Sequence, residues 1–273
     1  MRKASKVVTV IVFLFLYIPI IVLMVASFSS GVDLAVFKEF TFNRYAELFK
    51  DTNLLILVRN SAIIAVLSTA VATILGTMAA LGIHSMKGRM KSLVMGMTNI
   101  PMTNPDIVTG VSLALMFAFT GTILKLQTVL GFWTLLIAHI TFNLPYVILN
   151  VMPRLAQMDP NLTYAAMDLG CTPIKSFFKV TMHEIMPGII SGALMSFTLS
   201  LDDFVISYFV TGNGVSNISI LVYTESRRVN PSINALSTLI VVIITVALIL
   251  VNVIPSIAGK KQGKVSDKEE IPV

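Results

Sequence analysis

Charge is scarce in this chain, so the places where it interrupts an apolar run are the places to look for chemistry. Asp202 and Asp203 lie in a stretch, 188–210, that carries no other charge. A carboxylate at membrane depth is expensive, and it ordinarily faces a wet cavity or a partner group. Adjacent helical residues point about 100° apart, so the two acids must divide. Ser196, Ser200, Asp203, Ser207 and Thr211 recur at helical spacing and form a polar stripe. Asp202 instead shares a face with Met195, Leu199 and Ile206, which also suits a helix–helix contact. Two readings stand for the pair. Either the acids, with Ser200 and Ser207, line a path for a cation, or both sit at the outer interface, solvated or paired with Arg227 or Arg228. A third carboxylate, Asp106, follows Pro101 and Pro105. Broken helices in membranes often line cavities, so Asp106 either meets a cation or caps the helix after the break. Tyr208, Phe204 and Tyr146 offer aromatic faces for cation–π contact, or else face lipid or the core.

The elements around these residues are set by composition. The chain has 273 residues, 55% hydrophobic and 12% charged, whereas soluble domains run near a quarter charged. Lipid is the solvent that makes such a chain sensible, because a spanning helix needs ~20 mostly apolar residues. The net charge of +6 is not a nucleic-acid stripe, since the basic residues flank apolar runs. The single cysteine, Cys171, excludes an internal disulfide, and the 3 histidines show no ligand spacing; no metal site is expected.

Six apolar runs are visible: 7–28, 61–83, 93–119, 132–152, 188–210 and 235–257. The first follows Arg2, Lys3 and Lys6 and is longer than a signal-peptide core, with no small-x-small cleavage site, which favours an uncleaved helix over a leader. Trp133 reads as an interfacial anchor, and Gly188 with Gly192 as a GxxxG that lets helices approach. About two-thirds of the 20 lysines and arginines fall in the amino terminus, the 84–92 hairpin, the 153–186 segment and the tail. Positive charge marks the cytoplasm. The expectation is therefore an all-α membrane protein of six transmembrane helices with both termini cytoplasmic: one domain over 1–258, then a charged tail over 259–273.

Residues 155–187, between the fourth and fifth runs, are too polar for membrane and too patterned for a linker. Asn161 or Thr163 suits a cap for a short helix over 164–169. Gly170 suits an αL stop, and Thr172-Pro173 a second start. Ile174, Phe177, Phe178 and Met182 then share a face, which either packs on neighbouring helix ends or offers a partner an apolar knob.

Here the residues carry a resemblance. Tyr164-Ala165-Ala166-Met167-Asp168-Leu169-Gly170, continuing to Phe178, Val180 and Met182, looks like the coupling signature of ABC-importer permeases, in which Glu-Ala-Ala and Gly precede Ile-x-Leu-Pro. Tyr164 stands for the usual Glu, and His183 for the usual Pro. The missing carboxylate puts in doubt any charged contact there. Leu16-Tyr17-Ile18-Pro19-Ile20, Pro105-Asp106-Ile107-Val108, Gly131-Phe132-Trp133 with His139-Ile140-Thr141-Phe142, and Ser196 through Asp203 extend the likeness to the second permease of spermidine/putrescine importers. The resemblance implies a heterodimer of two permeases, two ATPase subunits and an external binding protein. It also implies a polyamine cargo, with Tyr164, Ala165, Ala166, Asp168, Gly170, Phe177 and Phe178 meeting the ATPase.

No GxxxxGK[ST] phosphate cradle occurs in the chain. ATP and its magnesium are thus expected on a separate subunit, and the chain is expected to be a transport subunit, not an enzyme. Two other classes compete. A proton-coupled carrier explains the acids as a relay but usually has repeated halves; a membrane scaffold explains the hydropathy and nothing more. An importer permease for another small substrate is the nearer alternative.

Overall fold

The computed structural model describes residues 2–31, 38–125, 129–212, 215–225, 234–246 and 249. Arg227, Arg228, the charged tail and the end of the sixth run lie outside the described residues. Among those described, every element is helical apart from one isolated bridge between Ser29 and Phe40. The chain divides into two compact units, 56–223 and the two flanks 1–55 with 224–273.

In the flanking unit, α1 (Arg2–Ala26) is exposed along its apolar length, including Val7 to Tyr17, with Pro19 inside it. Its end is tied to α2 (Asn43–Lys50). The buried Arg44 donates through Nη1 to the Ala26 carbonyl at 3.1 Å and through Nη2 to the Gly31 carbonyl. Ser27 Oγ meets the Tyr45 hydroxyl at 2.7 Å. Arginine suits this position because its fixed fork satisfies two carbonyls left open past a helix end. The last described helix of this unit, α12 (Asn234–Val246), covers the described part of the sixth run.

The larger unit starts within α3 (Thr52–Ser85) and holds α4 (Gly88–Thr103), α5 (Asp106–Leu124), α6 (Phe132–Gln157), α7 (Pro160–Asp168), α8 (Pro173–Ser176), α9 (Met182–Asp202), α10 (Val205–Val210) and α11 (Ile218–Glu225). Five helical stretches in the described chain are long and apolar enough to cross a membrane: 6–26, 52–85, 106–124, 132–157 and 173–202. Two expected runs differ from the sequence reading. The run over 93–119 is two helices, because Pro105 pushes Asn104 to an extended backbone (ψ 136°) and ends α4. The run over 188–210 is also broken, since α9 stops at Asp202 and α10 restarts at Val205. In the other direction α9 is continuous with α8 through one π-helical turn, Phe177–Thr181.

Packing between α3, α6 and α9 sets a register. A side chain begun at Gly188 would meet the Asn150 carbonyl oxygen at 2.8 Å, and one at Gly192 would meet Val147 Cα at 3.1 Å. One at Gly76 would meet Val147 Cβ at 2.7 Å. The GxxxG therefore does what its spacing suggests: it brings the backbone of α9 onto α6. Without a hydrophobic force between helices in lipid, such close van der Waals packing is a main source of association. Val147 therefore sits between Gly76 and Gly192, and Val151 packs at Gly188. Two turns further along the seam, Ser68, Ser200 and His139 are hydrogen-bonded together. Ala72, Ala80, Val147, Val151 and Ile185 form the buried apolar part of the seam.

The register yields a direct comparison. Gly188→Ala must push the Asn150 carbonyl aside and is expected to cost about 1–3 kcal/mol by overpacking. Gly82→Ala, also within a helix but with nothing within 4 Å of the new carbon, is expected to gain about 0.5–1 kcal/mol. Thermal unfolding of the detergent-solubilised protein should separate the two, Gly188→Ala melting lower and Gly82→Ala no lower than the unsubstituted chain.

Candidate functional site

Why α9 ends at Asp202 is local chemistry. The Asp203 backbone is extended (ψ 115°). Its carboxylate turns forward along the chain to accept from the amides of Ile206 at 3.2 Å and Ser207 at 2.8 Å. It also accepts from the Ser207 hydroxyl at 2.8 Å. A short acidic side chain that satisfies the open amides of a new helix competes with continuation of the old one. The Asp203 side chain, 8% exposed, thus caps the first amides of α10 from one residue ahead of Phe204, which holds the N-cap position.

The carboxylate belongs to a larger buried network. Ser207 Oγ also accepts from Asn217 Nδ2 at 2.8 Å and meets His139 Nε2 at 2.9 Å. The other ring nitrogen, Nδ1, meets Ser200 Oγ at 2.6 Å, and Ser200 in turn meets Ser68 Oγ at 3.0 Å. His139 Nε2 lies 3.6 Å from Asp203 Oδ2. His139, Ser200, Ser207, Ser68 and Asn217 are all buried. Five segments meet here: α3, α6, the end of α9, α10 and the approach to α11. Ser61 Oγ accepts from the Ile218 amide at 2.8 Å and holds that approach to α3.

The polar stripe read from sequence therefore exists, and it faces into the helix bundle. Ser200, Asp203 and Ser207 are brought together by it. Ser196, one turn below Ser200, and Asn143, one turn from His139 on α6, are both buried, and neither the Ser196 hydroxyl nor the Asn143 amide has a partner among the described residues. Asp202 points the other way and is exposed, as are Tyr208 and Asp106. Tyr208 packs its ring against Phe204 at 5.5 Å, and Phe204 stacks on Tyr223 at 3.8 Å. Asp106 opens α5 directly after the Pro105 break. Gly110, one turn further, packs against Ile206 and Val205, so Asp106 stands on the element that lines α10.

His139 is the functional candidate that acids and aromatics alone did not reveal. Its signal was nonetheless present in the periodicity: residues 139, 143, 147, 151 and 155 form one face of α6, and that face is apolar except for His139 and Asn143. A polar pair on the buried face of a membrane helix must be answered by another helix.

The second candidate region is the knob between α6 and α9. α7 starts earlier than expected, at Pro160. Asp159 is its cap, accepting from the Asn161 amide at 2.9 Å, in place of Asn161 or Thr163. Gly170 has φ +85° and makes the sharp turn that an L side chain rarely adopts. Thr172 caps α8, and Pro173 occupies its first turn. Ser176, buried, donates to the Thr163 carbonyl at 3.0 Å and locks the two short helices together. The π turn splits the expected apolar face: Phe177 and Met182 turn partly inward, while Ile174 and Phe178 are 72% and 63% exposed. Tyr164, Ala165, Asp168 and Leu169 are exposed beside them, and Ala166 is half-buried. Among the described residues no cluster of side chains is arranged to hold a metal ion.

Residues 72–260 match the family described as the inner membrane component of binding-protein-dependent transport systems. The chain belongs to that family. It is a transport permease and not an enzyme, and the carrier and scaffold readings fall with that membership. Its relatives include the putrescine transport system permease protein PotI of Escherichia coli K12, 41% identical, with 84% of this chain and 82% of that one covered. The spermidine/putrescine transport system permease protein PotC of the same organism is 36% identical over 94% of each chain. Its Haemophilus influenzae counterpart is 37% identical, over 89% and 92%. In fold, the permease superimposes on a chain of a bacterial ABC transporter involved in the import of the acidic polysaccharide alginate. The TM-score is 0.72 at 15% identity, covering 92% and 93% of the two chains.

The two adjacent acids of the permease should part company in stability measurements. Asp203→Ala strips the cap of α10 and leaves the buried Ser207 hydroxyl without its acceptor, an expected loss of about 1–3 kcal/mol. Asp202→Ala, at an exposed position, is expected to stay within about 0.5 kcal/mol. Thermal unfolding of both variants in the same detergent checks the difference.

Proposed function

We propose that this permease moves polyamines, putrescine or spermidine, inward across the cytoplasmic membrane, driven by ATP hydrolysis in partner subunits. The observation that carries the reading is its identity of 36–41%, over at least 82% of each chain, with three permeases named for putrescine or spermidine/putrescine. The site supports it chemically. Asp202 and Asp106 are exposed on helices otherwise built for lipid, where an exposed carboxylate is costly. A wet path beside a second permease removes that cost, and an ammonium group is the natural partner for the acid. Tyr208 adds an aromatic face of the kind that attracts ammonium groups by ~0.5–2 kcal/mol. Ser200, Ser207 and Asp203 contribute from behind, as the frame that fixes the wall of the path.

In the proposed assembly this chain pairs with a related second permease, two ATPase subunits and an external binding protein. ATP and magnesium belong to the ATPases. The helices up to about residue 258 form one six-span domain, α12 being the described part of the sixth span, with both termini cytoplasmic. The Pro160–Phe178 knob then faces the cytoplasm, where Tyr164, Ala165, Ala166, Asp168 and Gly170 with Phe177 and Phe178 engage an ATPase groove. Because α8, the π turn and α9 are continuous, a push at the knob reaches Asp202 as rigid-body motion.

The test is uptake of labelled putrescine and spermidine by cells expressing the complete importer. Asp202→Asn is expected to raise KM about 10-fold, by loss of one charge–charge contact. Gly170→Arg, which cannot keep the turn, is expected to abolish uptake while the protein remains in the membrane. Undiminished uptake in both variants would contradict the placing of path and knob. Uptake of neither polyamine by the unsubstituted importer would contradict the cargo.

A further inference from the structure

We propose that His139 is a positioning residue for transport: as the Nε2–H tautomer it holds the break between α9 and α10, and so keeps Asp202 on the exposed side. This rests on membership of the permease family and not on the identity of the cargo.

The tautomer follows from counting protons. The Ser207 hydroxyl has one proton and two lone pairs. Its proton goes to Asp203 Oδ2 at 2.8 Å, an oxygen that also accepts from the Ser207 amide. Asn217 Nδ2 only donates, and at 2.8 Å it fills one lone pair. His139 Nε2, at 2.9 Å, has the other lone pair to itself and must carry a proton to use it. In the neutral ring Nδ1 then accepts, and the Ser200 hydroxyl at 2.6 Å supplies the proton. Ser68, at 3.0 Å, donates to the vacated oxygen of Ser200, the nearer of its two acceptors, the Ala65 carbonyl being at 3.3 Å. The result is one directed chain, Ser68 to Ser200 to His139 to Ser207 to Asp203, in which every proton has one place.

Its position matters as much as its closure. Ser200 is two residues before Asp202, and Asp203 is the next residue after it. His139 therefore grips α9 just before the break and α10 just after it, from a third helix. Remove the ring and the two grips are independent. Asn143 and Ser196, one turn away on the same helices, make no side-chain hydrogen bond among the described residues. Asp203 is the titratable group facing His139 in the network, and its carboxylate is already spoken for by α10.

The assembled importer provides the test. With the sole cysteine removed by Cys171→Ser, Asp202→Cys reports the outward face through its rate of reaction with a membrane-impermeant maleimide. His139→Gln keeps an amide donor near the Nε2 position and is expected to label within about 2-fold of the histidine form. His139→Leu and Ser207→Ala remove the grip and are expected to shift the rate at least ~5-fold. His139→Asn, too short to reach Ser207, is expected to behave as His139→Leu does, and it replaces that comparison if the leucine variant fails to assemble. With Asp202 intact, the glutamine variant is expected to keep at least about a third of the maximal uptake rate, against a ~10-fold loss for asparagine. Labelling rates that are the same in the glutamine and asparagine variants would overturn the proposal, leaving His139 as packing. An unsubstituted importer that takes up no polyamine would fail the cargo reading alone, and the labelling pattern would still decide the role of His139.

Discussion

A carboxylate placed among membrane helices must find donors within the protein, because lipid supplies none. Asp203 finds the Ile206 and Ser207 amides and the Ser207 hydroxyl, and much of the surrounding geometry follows. To reach those amides the chain must leave the helix at Asp203, which ends α9. The new helix must start two residues later, which turns α10 toward α5, where Gly110 leaves room for Ile206. The hydroxyl that serves the carboxylate needs donors of its own, and Asn217 and His139 provide them. One buried carboxylate thereby organises five segments drawn from α3, α6 and the chain around the α9–α10 break.

The same arrangement separates two roles that adjacent acids in a sequence seem to share. The inward acid is saturated with hydrogen bonds and holds the frame. The outward acid, Asp202, has a carboxylate facing away from the bundle and is free to meet cargo in the proposed importer. A frame of this kind has a physical use, since a charge-bearing wall that must move between two states needs a rigid backing. The close approach of α9 to α6 at Gly188 and Gly192 extends that backing toward the knob. The helix 173–202 spans about 45 Å at 1.5 Å per residue, enough to link one membrane face to the other.

Much of the fold is legible in the sequence because lipid imposes simple rules. Long apolar runs become helices, Gly170 and Pro173 punctuate the knob at the expected places, and Gly188 with Gly192 marks a close contact. What the sequence conceals are breaks and directions. Pro105 warns of an interruption, but nothing in 188–210 except Asp203 itself ends α9, and an acid in an apolar run looks like a ligand as readily as a cap. Periodicity groups Ser200, Asp203 and Ser207 on one face without saying whether that face looks at water or at another helix. His139 was hidden for a related reason: its partners, Ser200 of α9 and Ser207 of α10, lie about 60 residues further along the chain, and only the assembled bundle brings them within 3 Å. The π turn at Phe177–Thr181 shifts the exposed face of the knob by a fraction of a turn, which no regular helical period anticipates.

The central claim is that this permease carries polyamines by ATP-driven import. The direct measurement is accumulation of labelled putrescine and spermidine in proteoliposomes holding the complete importer. ATP and magnesium are supplied on the ATPase side and the binding protein on the other, and an imposed proton gradient serves as the alternative driving force. The account predicts accumulation of at least one polyamine that requires both ATP and the binding protein and is indifferent to the gradient. Accumulation driven by the gradient without ATP, or ATP-driven transport that admits neither polyamine, would contradict it.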